Sequence, residues 1–180
     1  TSKYITDAFA KAGLPAGILT VVQGDGQTAK NIVEHKDIKA VAFVGSTKVA
    51  DIVYKTATTQ GNRALCLGGA KNHIILLPDA DLAVTGIGIA DSFTGCAGQR
   101  CMAASVLLAV GDVQNHIDKI KETAASAKLG DNMGAIITSD QVEFLNKAID
   151  QAVKDGATLL LDGRNPEVEN SEYKNGNWIG

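Results

Sequence analysis

The sequence predicts an α/β fold, in which short strands alternate with amphipathic helices. Five short aliphatic runs recur along the chain, at residues 18–22, 40–44, 73–77, 105–110 and 157–161. Each run is continuously apolar rather than alternating, which is typical of parallel strands buried on both faces. Six segments with helical periodicity accompany them, at residues 2–12, 27–35, 47–58, 81–93, 113–128 and 139–155. This order indicates repeated βα units.

The composition fits an aliphatic core. Of the 180 residues, 45% are hydrophobic but only 4% are aromatic, and 19 are glycine. Plentiful glycine indicates several tight backbone turns. The first predicted helix begins at residue 2 with no strand before it, and Trp178 stands just before the last residues. We therefore expect an internal fragment of a longer chain.

Charge and cysteine content exclude several function classes. With 17 Lys and Arg residues against 20 Asp and Glu, the net charge is −3, so neither nucleic acid nor a membrane surface is an expected partner. No apolar run reaches the roughly 18 residues that a membrane-spanning helix needs. Three cysteines are too few for a disulfide framework, and the histidines show no ligand spacing, so no metal is expected. These features predict a reducing compartment, the cytoplasm or, in a eukaryote, the mitochondrial matrix.

The first candidate site is the glycine-rich segment 24–29, Gly-Asp-Gly-Gln-Thr-Ala, which follows one predicted strand and opens a helix. That context matches a dinucleotide-binding fingerprint. The fingerprint also needs an acidic residue at the end of the next strand, where this chain has Val44, Gly45 and Ser46. The alternative is an ordinary tight turn between a strand and a helix.

The second candidate is the turn formed by Gly45, Ser46 and Thr47, between a predicted strand and the next helix. A helix N-terminus offers unpaired amide donors and the positive end of the helix dipole, so a phosphate could bind there. Ser46 would add a hydroxyl donor, and Gly45 would permit close approach of the backbone. The alternative is that Ser46 or Thr47 is simply an N-cap.

The third candidate is the segment 95–103, Gly-Cys-Ala-Gly-Gln-Arg-Cys-Met-Ala, which lies between a predicted helix and a strand. Positive neighbours favour the thiolate form of a cysteine, and the thiolate is the nucleophile. Only Cys101 has an adjacent cation, Arg100, so Cys101 is favoured over Cys96. The alternative is an inert buried thiol.

Four segments in this order resemble the aldehyde dehydrogenase superfamily across nearly the whole chain. They are Ala-Gly-Leu-Pro-Ala-Gly at 12–17, Val-Gly-Ser-Thr at 44–47, Leu-Gly-Gly at 67–69 and Gly-Gln-Arg-Cys at 98–101. The resemblance implies that Gly45 and Ser46 contact the NAD pyrophosphate and that Gly68 lies near the nicotinamide. It implies that Cys101 is the catalytic nucleophile, with its own backbone amide stabilising the oxyanion.

Within the superfamily, the chain is similar to the CoA-acylating branch that includes methylmalonate-semialdehyde dehydrogenase. The segments that carry this likeness are 69–73, 98–103, 161–164 and 175–177. The branch implies CoA as a cosubstrate, a small aldehyde such as methylmalonate or malonate semialdehyde, and Arg100 as the residue that binds the substrate carboxylate. Cys66 stands where hydrolytic members carry a glutamate that activates water, and a thiol is a poor base, so the acyl group would pass to CoA.

The resemblance also implies a domain organisation. Residues 1–66 would form the C-terminal half of a Rossmann-like NAD-binding domain, and residues 67–180 the N-terminal part of an α/β catalytic domain, in a parent protein that is a homo-oligomer. Two alternatives stay open. One is a truncated or degenerate homologue without activity, and the other is a general aldehyde dehydrogenase that hydrolyses its thioester.

Overall fold

The computed structural model describes residues 1–180 as two compact units, Thr1–Gly69 and Ala70–Gly180. Each unit contains helices and one two-stranded parallel sheet. The α/β class that the sequence predicts is therefore confirmed. All six predicted helices form, and each end lies within about three residues of its predicted position.

The first unit places two loops side by side at one edge of its sheet. Its elements are α1 (Ser2–Lys11), α2 (Gly26–Val33), β1 (Ala40–Val44), α3 (Thr47–Thr59) and β2 (Arg63–Leu67). In the parallel ladder Ala40 lies opposite Arg63, and Val44 lies opposite Leu67. Because both strands run the same way, their carboxyl ends meet at one edge, where Gly45 and Gly68 follow them.

Helix α3 begins at a serine cap and packs through small residues. The Oγ atom of Ser46 accepts a hydrogen bond of 3.4 Å from the amide of Val49, which satisfies one of the unpaired donors of the first turn. Ala50 and Ala57 are the buried residues of the helix. The turn between α3 and β2 contains Gly61, whose φ of 75° lies in the left-handed region that favours glycine.

The second unit carries the cysteine loop between a helix and a strand. Its elements are β3 (Asn72–Leu76), α4 (Leu82–Thr94), a 3₁₀ turn (Gly95–Gly98), β4 (Ala104–Ala109), α5 (Gln114–Ala125), α6 (Ser139–Lys154) and a second 3₁₀ turn (Ser171–Tyr173). Strands β3 and β4 are parallel, and their register shifts by one residue between Asn72 and His73.

The core of this unit is aliphatic, as the composition indicates. Four side chains are buried together: Leu76 of β3, Ile89 of α4, Val113 of the turn before α5, and Ile120 of α5. Burial of each such side chain contributes roughly 1.5–3 kcal/mol. The buried imidazole of His116 pairs its Nε2 with the carbonyl oxygen of Ala80 at 2.9 Å, so its polar group is satisfied inside the core.

Three expectations about strands are wrong, and one strand, β2, has no prediction. Residues 18–22 and 157–161 form no strand, since neither run has a ladder partner, and their apolar side chains are exposed. Strand β2 was not predicted, because its sequence Arg-Ala-Leu-Cys-Leu lacks β-branched and aromatic residues, and its pairing with β1 overrides that weak propensity. The strands are also not buried on both faces: exposure alternates along β1, and Val44 is 66% exposed.

No helix of the chain combines the length and the apolar character that crossing a membrane would require.

Candidate active site

The loop after β1 presents a helix N-terminus with unused donors. The amide of Gly45 donates to the carbonyl oxygen of Leu67 at 3.1 Å, which continues the ladder past the strand. Ser46 caps α3, so the amides of Ser46, Thr47 and Lys48 precede the first intrahelical hydrogen bond. Together with the positive end of the helix dipole, these donors form a surface that suits a phosphate group.

The loop after β2 packs directly against this turn. The amide of Gly69 donates to Oγ1 of Thr47 at 3.0 Å. A Cβ atom at Gly68 would lie 2.8 Å from that same Oγ1 and 3.1 Å from the Cα of Thr47, so only glycine fits at position 68. The structure thus brings Gly45, Ser46 and Gly68 together at the carboxyl edge of the first sheet.

The glycine-rich segment 24–29 forms an ordinary turn into α2, and no strand precedes it. The Oδ1 atom of Asp25 accepts hydrogen bonds from the amides of Gln27 at 3.0 Å and Thr28 at 3.1 Å. The hydrogen bond from the Thr28 amide, followed by that from Gln27, holds the pKa of Asp25 below its usual value. Because a carboxylate already occupies the donors of this helix N-terminus, an anionic pyrophosphate would be repelled there. The alternative of an ordinary tight turn into the helix fits this segment, although no strand precedes it.

The cysteine loop has an unusual backbone. Cys96, Ala97 and Gly98 follow one another in the left-handed region, with φ values of 53°, 53° and 70°. For a residue with a Cβ atom this conformation costs roughly 1 kcal/mol, so the surroundings must hold the loop in place. After this run the amide of Ala103 donates to the carbonyl oxygen of Arg100 at 3.0 Å. Cys101 lies inside that turn, and its free thiol belongs to an exposed residue.

The side chain of Asn72, at the start of β3, holds the main chain on either side of Met102. Its Nδ2 atom donates to the carbonyl oxygen of Cys101 at 2.8 Å and to that of Ala103 at 3.0 Å. Asn72 is half-buried and lies where the register of the sheet shifts. The side chain therefore supplies hydrogen bonds where the backbone ladder is interrupted.

Arg100 is anchored on the helix that precedes the loop. Its Nη2 atom donates to the carbonyl oxygen of Asp91 at 2.8 Å and to that of Ser92 at 3.5 Å, both in the last turn of α4. A Cβ atom at Gly95 would overlap the guanidinium, so a larger residue there would displace the side chain of Arg100 from this position. Both hydrogen bonds use Nη2. Nε and Nη1 take no part in them, and the planar fork of a guanidinium suits a carboxylate.

A shallow cavity places the thiol and the cation at one surface. It has a volume of about 530 Å³ and is lined by Asp91, Ser92, Arg100, Cys101 and Met102. The structure thus brings Arg100 and Cys101 together in the second unit, whereas Gly45, Ser46 and Gly68 belong to the first.

Two site residues were not assigned a role from the sequence, Asn72 and Gln99. Both stand inside segments that the sequence analysis singled out, but their partners are distant in sequence. Asn72 reaches Cys101, and Gln99 reaches Ala135 and Ile137. No spacing rule connects residues so far apart in the chain. No three His, Cys, Asp or Glu side chains in residues 1–180 come together in a way that could hold a metal ion.

Comparisons with known proteins match the whole chain. Residues 1–180 fit the sequence model of the aldehyde dehydrogenase family. A malonate-semialdehyde dehydrogenase of Geobacillus thermodenitrificans is 43% identical over 167 residues, which are 89% of this chain and 35% of that protein.

Solved structures agree. A methylmalonate-semialdehyde dehydrogenase from Oceanimonas doudoroffii superimposes with a TM-score of 0.89 at 38% identity, over 98% of this chain and 38% of that one. A Mycobacterium tuberculosis aldehyde dehydrogenase, solved with NAD+, gives a TM-score of 0.84 at 26% identity, over 92% of this chain and 36% of that one. The chain thus spans little more than a third of the length of these relatives.

Proposed function

Since this chain belongs to the aldehyde dehydrogenase family, we propose that it carries the nucleophile and part of the NAD site of an enzyme that oxidises a carboxylated aldehyde and passes the acyl group to CoA. Methylmalonate semialdehyde and malonate semialdehyde are the proposed substrates, because relatives at 43% and 38% identity carry those names. The residue that carries the proposal is Cys101, an exposed free thiol beside a fixed cation.

Cys101 performs the covalent steps. Its thiolate forms a bond with the aldehyde carbon, and the carbonyl oxygen becomes an oxyanion. The amide of Cys101 takes no part in the hydrogen bonds of its own turn, which run from Ala103 to Arg100 and from Gln99 to Cys96. This amide is therefore the donor we assign to the oxyanion. After hydride loss, the acyl group remains on Cys101 as a thioester.

The first unit fits NAD at its phosphates. The unused amides at the start of α3 are the proposed pyrophosphate donors, with the Ser46 hydroxyl beside them. Gly45 and Gly68 have no side chain to block access, and Gly68 packs on Thr47 so that its backbone stays in place. When bound, NAD supplies the acceptor for the hydride that the substrate carbon loses.

The cysteine at position 66 supports transfer of the acyl group to CoA rather than to water. Cys66 is half-buried in β2, opposite Phe43 in the ladder. The family resemblance implies that it stands where hydrolytic members carry a water-activating glutamate. A thiol is a weak general base for water. The thiolate of CoA needs no such base: it attacks the thioester carbon, the bond to Cys101 breaks, and the Cys101 thiolate is released.

Arg100 selects the substrate. Its remaining donors form a planar fork that suits a carboxylate, and its anchor on α4 fixes the fork close to Cys101. An aldehyde that bears a carboxylate would therefore be held with its carbonyl carbon near the thiol.

The domain assignment, the assembly and the location belong to the same proposal. We assign residues 1–66 to the NAD-binding domain and residues 67–180 to the catalytic domain of a homo-oligomeric enzyme. A reducing, cytoplasmic location is supported by the three free cysteines.

The test measures NADH production by the full-length protein with malonate semialdehyde, with and without CoA. We expect turnover that requires both CoA and Cys101, so that Cys101→Ser abolishes it while Cys96→Ser retains it. Turnover without CoA would identify a hydrolytic enzyme instead. Absence of turnover under every condition would identify a homologue without activity.

A further inference from the structure

A second carboxamide side chain, that of Gln99, also hydrogen-bonds to the main chain of the cysteine loop. Its Nε2 atom donates to the carbonyl oxygens of Cys96 and Ala135, each at 3.0 Å. Its Oε1 atom accepts a hydrogen bond of 3.0 Å from the amide of Ile137. One carboxamide thus bonds to Cys96, the first residue of the left-handed run, and connects the loop to a segment more than 30 residues away.

The geometry of this connection resembles strand pairing. In an extended chain, the carbonyl group of one residue and the amide of the second residue after it point to the same side. Residues 135–137 form no strand, and Ile137 lies at a bend. The carbonyl of Ala135 and the amide of Ile137 nevertheless both bond to Gln99, which meets them with one donor and one acceptor, as a peptide group of a neighbouring strand would.

The segment that Gln99 contacts is itself fixed. Ile136 is only 3% exposed, and its amide donates to the carbonyl oxygen of Asn177 at 2.7 Å. Met133, three residues earlier, is also buried. Gln99 therefore ties the cysteine loop to an anchored part of the second unit.

We propose that Asn72 and Gln99 are positioning residues that hold the main chain around Cys101 in the geometry needed for attack on the aldehyde. This inference rests on the proposed function. The only regular element of the loop is the short 3₁₀ turn Gly95–Gly98, which includes two strained non-glycine residues, Cys96 and Ala97, so side-chain hydrogen bonds add to the few backbone bonds that hold the loop. Neither carboxamide bonds to the thiol itself, and both act on the backbone.

The variants Gln99→Glu and Asn72→Asp test this directly. Each keeps the shape of the side chain but places a carboxylate oxygen where an NH₂ group now faces two carbonyl oxygens. Gln151→Glu is the matched control, since its Nε2 atom also donates to an oxygen, that of Asp155 at 2.8 Å, on the exposed face of α6. If either aspartate or glutamate variant fails to fold, Asn72→Ala and Gln99→Ala replace it.

Two measurements on the full-length protein are compared. Turnover should fall about 10- to 100-fold in the test variants, because a misplacement of about 1 Å can cost that much. The KM for NAD should stay within about twofold, and Gln151→Glu should keep the kcat of the unmodified protein. Hydrogen exchange should become faster in residues 96–104 and 135–138 but not in α5 (Gln114–Ala125).

The outcomes separate this inference from the proposed function. Test variants with unchanged kcat overturn the positioning role, whatever their exchange rates. Unchanged exchange in both segments also overturns it, and so does faster exchange throughout α5, which would indicate a general loss of stability. If the unmodified protein produces no NADH from the aldehyde, the proposed function fails; if it is active and the variants are equally active, only the inference fails.

Discussion

The Nη2 atom of Arg100 lies 2.8 Å from the carbonyl oxygen of Asp91, so the cation next to Cys101 is attached to the last turn of α4. That turn contains no basic residue of its own. The negative end of the helix dipole attracts a cation there. One side chain therefore both completes a helix end and carries a positive charge next to Cys101, the proposed nucleophile.

Replacement of Arg100 should affect charged substrates selectively. In Arg100→Gln, the KM for malonate semialdehyde should rise about 10- to 100-fold, since a hydrogen bond to a charged group contributes about 1.5–3 kcal/mol. The KM for an uncharged aldehyde such as propanal should change by less than about threefold. Steady-state kinetics with both aldehydes check this, and an equal rise for both would contradict a role in carboxylate binding.

Gly68→Ala should weaken both the first unit and NAD binding. The new Cβ atom would lie 2.8 Å from Oγ1 of Thr47 and 3.1 Å from its Cα, which is backbone and cannot move freely. We expect a loss of roughly 1–3 kcal/mol in the free energy of unfolding, measured in urea, and weaker NAD binding in a fluorescence titration.

The control for Gly68→Ala is Gly88→Ala in α4. Nothing lies within 4 Å of a Cβ atom at Gly88. The control should therefore gain about 0.5–1 kcal/mol of stability, the usual preference of a helix for alanine over glycine, and should bind NAD normally. If Gly68→Ala matched the unmodified protein in stability and affinity, close packing of the two loops would be refuted.

Acid should destabilise the second unit through Asp162. The Nε and Nη2 atoms of Arg164 donate to both oxygens of Asp162, at 2.8 Å and 2.6 Å, and Nη1 pairs with Asp150 of α6. These bonds lower the pKa of Asp162 from 3.8 to about 2. Because the pKa is lowered in the folded state, the stabilisation is complete above pH 3.8 and is lost as the pH falls towards 2.

Urea unfolding between pH 2 and 5 measures this dependence. Arg164→Gln should show a flatter decline than the unmodified protein over this range, because Asp162 would then titrate near its ordinary pKa in both states. Lys174→Gln, which removes a positive charge elsewhere in the same unit, should keep the full dependence. Parallel curves for Arg164→Gln and the unmodified protein would show that the pair does not couple to folding.

Local sequence signals predicted the elements that need few distant partners. The six helices follow from their own periodicity and caps. At the start of α4, for example, the Oδ1 atom of Asp81 accepts a hydrogen bond of 2.8 Å from the amide of Val84. Strand formation depends on a partner elsewhere in the chain. Residues 18–22 have strong strand propensity and no partner, whereas β2 has weak propensity and pairs with β1, so local reasoning was wrong in both places.

The same distinction applies to the site. Short motifs identify five site residues, whose assigned roles stay predictions: Gly45, Ser46, Gly68, Arg100 and Cys101. Other features of the site form only when the chain folds. They are the attachment of Arg100 to α4, the contact of Gly68 with Thr47, and the hydrogen bonds of the two carboxamides around Cys101. Apart from the hydrogen bond of Gln99 to Cys96, those contacts connect residues 8 to 38 positions apart, and no sequence period describes them.

The covalent role of Cys101 is tested most directly by trapping the acyl group. The full-length protein is incubated with malonate semialdehyde and NAD without CoA, digested, and mapped by mass spectrometry. We predict an acyl adduct on Cys101 alone, which disappears when CoA is added while acyl-CoA forms in equal amount. An adduct on Cys66 or Cys96, or one that is lost equally fast without CoA, would contradict the account.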